Sequence, residues 1–356
     1  MNKRIAVLVS GGVDSSVALA LLKEQGYEVT AFYLKIWLED ELAYLGECPW
    51  QEDLSFVENV CAQLDVPLEV VNLQKEYFDR VVRYAIAEVK AGRTPNPDVF
   101  CNVFIKFGLF IDYIDKTYPD MFAKIASGHY AQLTEKNGIK HLKKAPDAIK
   151  DQTYFLSHLK DHQLNRLMFP IGHLAKLEVR ALAQKYNLAN KDRKDSQGIC
   201  FLGKLKFNDF LKHYLGEKIG DKIEYETGLK LGEHRGFWYH TIGQRQGSGL
   251  SGGPWYVAAK DPAQNIVYFS KSYYDADKKR NELIVTDLNW YAGHMPEEQH
   301  LSVKLRHGPN EHACTITSHN ETSITVTLAE NDQGIAPGQI AAFYVDDICL
   351  GAGIID

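Results

Sequence analysis

Short β-type runs alternating with helical ones restrict the fold of this chain more than any other feature. Ile5 to Val9, Val13 to Gln25, Glu28 to Leu34, Asp53 to Leu64, Leu68 to Val71 and Tyr77 to Ala91 follow one another in that order. This pattern predicts βαβ crossovers, and hence an α/β domain with a doubly wound parallel sheet covered by helices on both faces. Gly26 stands where a left-handed residue closes the first helix. Lys124 to Ala126 reads as another strand ending at Ser127-Gly128-His129. Lys176 to Tyr186 and Phe207 to Leu215 have helical spacing, and Arg193 to Gly203 is polar and loop-like. From about Lys218 the texture changes to short strands divided by Gly, Pro and Asn turns, as at Gly232 to Gly236, Gly247 to Pro254 and Ala336-Pro337-Gly338. That predicts small β-rich domains. Leu301 to Leu305, Cys314 to Thr317, Ser323 to Leu328 and Ile340 to Tyr344 fit a small barrel. The expected division is an α/β domain over 1–207, a small central domain over 208–276 and a C-terminal β-barrel over 277–356, with Ser270 to Asn281 as the second boundary.

Composition removes several function classes. Lys plus Arg is 40 against 46 for Asp plus Glu, a formal charge of −6, so the surface as a whole is not built to hold nucleic acid. Lys136 to Lys212 nevertheless carries 16 Lys or Arg and 7 Asp or Glu, a net +9 in a chain that is −15 elsewhere. A basic middle of this kind suits a local polyanion site, although solvated helix faces would look the same. Six cysteines without a CxxC pair argue against a disulfide scaffold or a zinc ribbon. No run of about 18 apolar residues occurs, so no transmembrane helix and no membrane partner are expected. The apolar start is broken by Ser10-Gly11-Gly12 and Asp14, and reads as a first strand instead of a signal peptide. The expected compartment is a reducing, bacterial-type cytoplasm.

Ser10-Gly11-Gly12-Val13-Asp14-Ser15-Ser16 follows that strand and opens a helix. Glycines, hydroxyls and free helical N–H groups converge there, which suits a phosphate. The first lysine beyond the loop is Lys23, near the far end of the helix, so the Walker A lysine is missing and γ-phosphate transfer is disfavoured. The glycine spacing also fails the dinucleotide fingerprint. The segment resembles the SGGxDSS loop of the ATP-pyrophosphatase families, which bind the pyrophosphate end of ATP and release it after AMP transfer. A Gly-Gly turn with Ser or Asp caps would account for several of these residues. Leu8, Val9, Ser10, Gly11, Gly12, Val13, Asp14 and Ser15 are the expected nucleotide contacts. A carboxylate such as Asp14 beside phosphates calls for a metal ion between them or a capping role, so Mg²⁺ is expected with ATP.

Thr94-Pro95-Asn96-Pro97-Asp98-Val99-Phe100-Cys101-Asn102 is a proline-stiffened loop ending in a cysteine at the predicted start of a helix, Phe104 to Lys116. A thiol at a helix N-terminus is stabilised as thiolate. Cys200 lies in a second polar loop, Asp195 to Phe201, beside Arg193 and Lys194, whose charges act in the same direction. Cys61 lies on a helical apolar face and Cys314 and Cys349 in strand-like runs, which suits core positions. Cys48 sits in a loop and is undecided.

These pieces together resemble the tRNA-specific 2-thiouridylases, enzymes of the PP-loop (adenine nucleotide α hydrolase-like) fold that put sulfur on the wobble uridine. The resemblance rests on SGGVDSS at Ser10 to Ser16, AGRTPNPDVFCN at Ala91 to Asn102, GHYA at Gly128 to Ala131, KDQTYFL at Lys150 to Leu156, KDSQGICFLG at Lys194 to Gly203 and HTIGQRQG at His240 to Gly247. Lys304-Leu305-Arg306-His307 and Pro337-Gly338-Gln339 are weaker matches. The resemblance implies that ATP activates the uridine C2 oxygen as an adenylate and that Cys200 carries a persulfide whose terminal sulfur attacks C2. Cys101 would then release that sulfur through a disulfide with Cys200. It implies a proton-moving role for Asp98, a base pocket shaped by Asn96 and Pro97, and tRNA contacts at Asp98, His129, Lys150, Asp151, Gln152, Arg306, His307 and Gln339. Leu34 and Gly128 would line adenine and ribose. A cysteine desulfurase or sulfur-relay protein is the implied partner beside tRNA. The chain departs from the family pattern at Val103-Phe104, where Lys-Glu is frequent, at Ile36 before Trp37, where Asn is, and at Ser127, where Thr is.

Three other readings fit parts of the sequence. An ATP-pyrophosphatase that adenylates a small substrate for attack by nitrogen needs no cysteine pair. Asp98, Cys101 and Cys200 could instead hold an iron–sulfur centre. A tRNA-binding protein without catalysis would leave the phosphate loop unused.

Overall fold

Strict alternation along the first strand builds two cores at once. In β1 (Arg4–Val9), Ala6 and Leu8 face one apolar cluster with Phe32, Val71 and Ile125, while Ile5, Val7 and Val9 face another with Val29, Ala31, Tyr33 and Ala126. Side chains alternate with a period of two, so a strand covered on both faces reads as a continuous apolar run. The computed structural model describes residues 4–36, 50–195, 207–273, 280–297, 300–332 and 334–356. β1, β2 (Glu28–Lys35), β3 (Leu68–Asn72) and β4 (Lys124–Ser127) form a parallel sheet with a short strand, β7 (Leu167–Met168), that follows a hairpin of β5 (Gln132–Lys136) and β6 (Ile139–Lys143). The order is β3-β2-β1-β4-β7. The chain thus winds outward on one side of β1 and then returns to its other side, which places a ligand crevice at the carboxyl ends of β1 and β4. Helices α1 (Val13–Glu24) and α2 (Trp50–Leu64) pack on the second cluster. Among the described residues no helix is long and apolar enough to cross a membrane.

The central β region is a four-stranded sheet, β10-β11-β8-β9, made by β8 (Gly220–Glu224), β9 (Lys230–His234), β10 (Tyr256–Asp261) and β11 (Ile266–Ser270). The C-terminal strands β12 (Glu282–Trp290), β13 (Leu301–Lys304), β14 (His312–His319), β15 (Ser323–Leu328), β16 (Ile340–Val345) and β17 (Ile348–Ile355) follow the order β12-β15-β14-β13-β16-β17. β12 also pairs with β17, closing a six-stranded antiparallel barrel with no open edge among its own strands.

The sequence reading did not foresee the β5–β6 hairpin. Asn137 and Gly138 both have positive φ, 55° and 78°, the turn that an Asn-Gly pair makes between antiparallel strands. β6 then pairs with β17, matching Leu142 with Cys349, so the N-terminal half adds two strands to the C-terminal sheet. The helix expected from Tyr77 to Ala91 runs as Gln74–Tyr77, a widened π turn at Phe78–Val82, and Arg83–Lys90.

The central sheet packs two buried histidines, His234 and His240, with ring centroids 5.5 Å apart. Burial pushes His240 down to about 4, and the neighbouring His234, Lys222 and Lys260 act in the same direction. The unfolded chain therefore binds a proton at higher pH than the folded one. The stabilisation is complete above about pH 6.5 and is lost as the pH falls toward 4. Tryptophan fluorescence from buried Trp255 should report a loss on the order of 3 kcal/mol across that window, from about 1.4 kcal/mol per pKa unit. His240→Gln should remove this component; an identical acid transition in that variant would refute it.

Candidate active site

The phosphate loop lies where β1 hands over to α1. Gly11 has φ +77°, and a Cβ there would lie 2.6 Å from the Asp53 carbonyl oxygen and 2.8 Å from Arg193 Nη1, so only glycine fits. Gly12 caps α1 in extended conformation, and no side chain caps the helix. Its first N–H groups therefore open on the carboxyl edge of the sheet, which is the environment an anionic phosphate group fits. Ser15 Oγ accepts from Ser10 N at 3.1 Å and donates to Gly12 O at 3.1 Å, while Ser16 Oγ donates to the same carbonyl. Asn190 Nδ2 ties Gly11 O at 2.8 Å and Ser16 Oγ at 2.9 Å. These serines thus fix the loop from behind. Leu8, Val9 and Val13 are buried in the cores, so only their backbone can face a ligand. Leu34 is the penultimate residue of β2 and packs partly on the first core. Gly128 follows β4, and a Cβ there would meet Ser15 N at 2.6 Å. It is glycine because the first turn of α1 packs directly on it.

Positive charge reaches the loop from far along the chain. Lys176 Nζ donates to Asp14 Oδ1 at 2.7 Å and Oδ2 at 2.9 Å, and pairs with Asp195 Oδ1 at 2.7 Å. Tyr130 OH donates to Asp14 Oδ1 at 2.8 Å. Lys150 and Arg180 complete the group around Asp195 at 2.8 and 2.5 Å. Burial alone would favour the neutral Asp195 acid, but hydrogen bonds from Lys150 and Lys176 outweigh it and hold the carboxyl well below the usual range. Arg193 pairs with Asp53 and lies 4.6 Å from the Phe56 ring, closing the side of the loop at Gly11. Lys176 is the cation that directly balances Asp14 among the described residues. Among the described residues no three His, Cys, Asp or Glu side chains converge as metal ligands.

The cysteine loop differs from its expected form. Asn96 Oδ1 accepts from Val99 N at 3.4 Å and Pro97 takes the first helical position, so the helix begins at Pro97. It runs through a π-helical segment, Cys101–Leu109, into Phe110–Thr117. Cys101 therefore lies one turn inside the helix, beyond the reach of the N-terminal dipole. Its thiol is 0% exposed. Burial pushes it up to about 11, with Asp98 adding to the rise and Lys106 and Tyr77 opposing it. The expected thiolate is thus corrected to a sealed, neutral thiol, because burial desolvates the charged form and the helix terminus is out of reach. Asp98 is half-buried one turn earlier. Cys61, Cys101, Cys314 and Cys349 are free thiols. Cys200 and Cys48 lie outside the described residues.

One segment joins the two centres. Lys150 reaches the ion group at Asp195. Gln152 Oε1 accepts from Tyr130 N at 2.9 Å, beside Asp14. Phe155 O accepts from Asn102 Nδ2 at 3.0 Å, next to Cys101. The barrel closes on the same region: Pro337 O accepts from Thr94 N at 2.7 Å, and Gln339 Nε2 donates to Thr94 O at 2.7 Å and Pro95 O at 3.4 Å.

Comparison with known proteins decides the family. Residues 3–204 match the tRNA methyl transferase HUP domain, 208–271 the tRNA methyl transferase PRC-barrel domain and 280–355 the aminomethyltransferase beta-barrel domain. A tRNA-specific 2-thiouridylase MnmA of Parabacteroides distasonis is 46% identical over 99% of this chain and 98% of its own length. A counterpart from Porphyromonas gingivalis is 45% identical over 99% and 98%, and the tRNA-specific 2-thiouridylase MnmA 2 of Bacteroides fragilis 46% over 99% of both. The chain belongs to the tRNA-specific 2-thiouridylase family.

In this 2-thiouridylase family member, the residues expected at tRNA divide by exposure. Arg306 and His307 are exposed, His307 packing 4.5 Å from the Phe155 ring and Arg306 pairing with Asp332. Asn96, Lys150, Gln152 and Gln339 are half-buried, and Pro97 is buried. His129 packs on Phe107 and Phe169 and bonds Ser127 Oγ at 2.8 Å. Burial, helped by the Lys106 charge, pushes it down to about 3, so it is neutral at physiological pH. Asp151 is buried at 3% exposure and bonds Lys304 Nζ at 3.0 Å and Thr153 Oγ1 at 2.8 Å, so in this conformation it faces the barrel instead of solvent. Val103 is buried and Phe104 stacks on Phe100 at 5.4 Å, which explains the apolar pair: here these positions build the core. Sequence reasoning missed Lys176, Tyr130 and Asn190 at the phosphate loop. The basic window around Lys176 and the GHYA motif that contains Tyr130 were the available signals.

Proposed function

We propose that the chain is an ATP-dependent tRNA-uridine 2-sulfurtransferase acting at C2 of the wobble uridine. The observation that carries this reading is the Lys150-to-Phe155 segment, which gives the phosphate loop and the cysteine helix one shared wall. The names of the relatives, tRNA-specific 2-thiouridylases, support the substrate. A uridine C2 carbonyl is a poor electrophile, so its oxygen is first joined to the α-phosphate of ATP, and pyrophosphate leaves. The uncapped N-terminus of α1, with Ser10, Gly11, Gly12 and Lys176, is suited to hold that pyrophosphate. Mg²⁺ accompanies ATP through its own phosphate oxygens in this scheme, with no side chain assigned to it. The terminal sulfur of a persulfide on Cys200 then attacks C2, and AMP departs with the oxygen. Cys101 attacks Cys200 Sγ, which breaks the persulfide S–S bond, leaves the sulfur on the base and forms a Cys101–Cys200 disulfide. An external thiol reduces that disulfide, and a cysteine desulfurase or sulfur-relay protein reloads Cys200. Asp98, one turn before Cys101, moves protons at the base, and Asn96 and Pro97 shape the pocket for the unstacked nucleotide. Arg306, His307 and Lys150 are assigned to the tRNA backbone, and Asp151 acts by holding Lys304.

Nucleoside mass spectrometry of wobble-uridine tRNA incubated with ATP, Mg²⁺ and the protein carrying persulfide loaded by a cysteine desulfurase tests this. Wild type should produce 2-thiouridine together with pyrophosphate. Gly11→Ala should lower both by about a hundredfold, since a side chain at that point displaces the loop by an ångström or more. Pyrophosphate without 2-thiouridine in wild type would remove the substrate assignment. An active Gly11→Ala protein would remove the loop assignment.

A further inference from the structure

Cys101 opens a nine-residue π-helical segment, Cys101–Leu109. Widened turns of this kind pack poorly along the helix axis and persist only where something sustains them, often beside a functional group. Two residues sustain this one. A Cβ on Gly108 would lie 2.6 Å from Val103 O, so the close approach of residues five apart needs glycine. Gln163, 3% exposed on the neighbouring turn Asp161–Leu164, donates from Nε2 to Val103 O at 2.8 Å and to Phe107 O at 2.7 Å. Its Oε1 accepts from Lys160 N at 2.8 Å. Both amide hydrogens of one buried side chain are therefore spent on two carbonyls four residues apart in the widened helix. The register carries a cost as well: Asn102 Oδ1 is buried without a hydrogen-bond partner among the described residues.

We propose that Gln163 is a positioning residue for the thiol chemistry: with Gly108 it holds the Cys101–Leu109 segment in its wide register and so keeps the Cys101 thiol sealed in the core. Relaxation to an ordinary α-helix takes up one residue. It would turn Cys101 by about 100° relative to Phe110–Thr117 and carry it away from Tyr77. The cysteine then reacts only when its helix changes register, which protects a nucleophile that must not meet stray oxidants or sulfur donors between turnovers. The inference takes Cys101 as a reacting thiol from the proposed function, but its test does not depend on turnover.

The full-length reduced protein, without ATP or tRNA, is alkylated with iodoacetamide, and each cysteine is quantified by peptide mass spectrometry. Gln163→Ala should raise the Cys101 rate about tenfold or more, because two buried hydrogen bonds that oppose opening are lost. Cys61 and Cys349, both buried, should keep their wild-type rates. The pH midpoint of Cys101 alkylation should fall from about 11 toward the ordinary thiol value of about 8.5. Gly108→Ala should act in the same direction with Gln163 intact, and it decides the matter if the first variant does not fold. An unchanged Cys101 rate, or an equal rise at all three cysteines, would overturn the proposal. If the alkylation result is as expected but wild type fails to thiolate tRNA, the register assignment stands and the proposed function falls.

Discussion

In Cys101→Ala protein assayed without added thiol, pyrophosphate release in the first turnover should stay within about twofold of wild type while 2-thiouridine falls by about a thousandfold or more. The separation follows from placement. Asp14, Lys176 and Asp195 form one ion group at the start of α1, whereas Cys101 lies within the apolar core behind Asn102 and Phe155. Removing one buried sulfur leaves a small void, worth about 1 kcal/mol, so the fold survives. With the resolving thiol absent, the base should remain joined to Cys200 through a disulfide, and dithiothreitol should free 2-thiouridine from that adduct. Paired measurement of pyrophosphate and nucleosides checks the expectation. Loss of both products would place Cys101 in the activation step. Undiminished thiolation would place the second thiol elsewhere.

Lys304→Met should destabilise the protein by about 3–5 kcal/mol, the usual cost of stranding one partner of a buried ion pair. Lys304 and Asp151 are each 3% exposed, and the pair joins β13 of the barrel to the segment that walls the active site. After the substitution the donors left to Asp151 among the described residues are neutral: Thr153 Oγ1 at 2.8 Å, Ala145 N at 3.2 Å and Thr153 N at 3.4 Å. Urea unfolding measures the loss, and the double variant with Asp151→Asn should recover more than half of it, because no buried charge is then left alone. A change below about 1 kcal/mol in the single variant would show that solvent reaches the carboxylate after the exchange.

The parallel sheet was legible because apolar runs such as Ile5 to Val9 and glycine-marked turns are local signals, and local geometry then dictates βαβ winding. The phosphate loop was legible for the same reason, being a single contiguous motif. Its charge partner was not, since Lys176 meets Asp14 across 162 positions of chain and nothing near Lys176 marks it among the other basic residues. The state of Cys101 is not legible locally, because the helix begins at Pro97 and not near Phe104, which puts the thiol a turn inside it. Burial by distant residues then set the thiol's acidity. Asp151 reads from its motif as an RNA contact, and only the arrival of Lys304 from the barrel reveals it as a joint. The Asn137-Gly138 turn was a readable hairpin signal, but its partner strand could not be inferred from it.

That hairpin has a consequence during synthesis. β6 emerges from the ribosome about 200 residues before the β17 strand that completes its pairing, an interval on the order of 10–40 s at ordinary elongation rates. Until then a nascent N-terminal half presents an unpaired strand edge to every neighbouring chain. A truncated catalytic half would keep that edge permanently, and expressed alone it should self-associate through Ile139–Lys143.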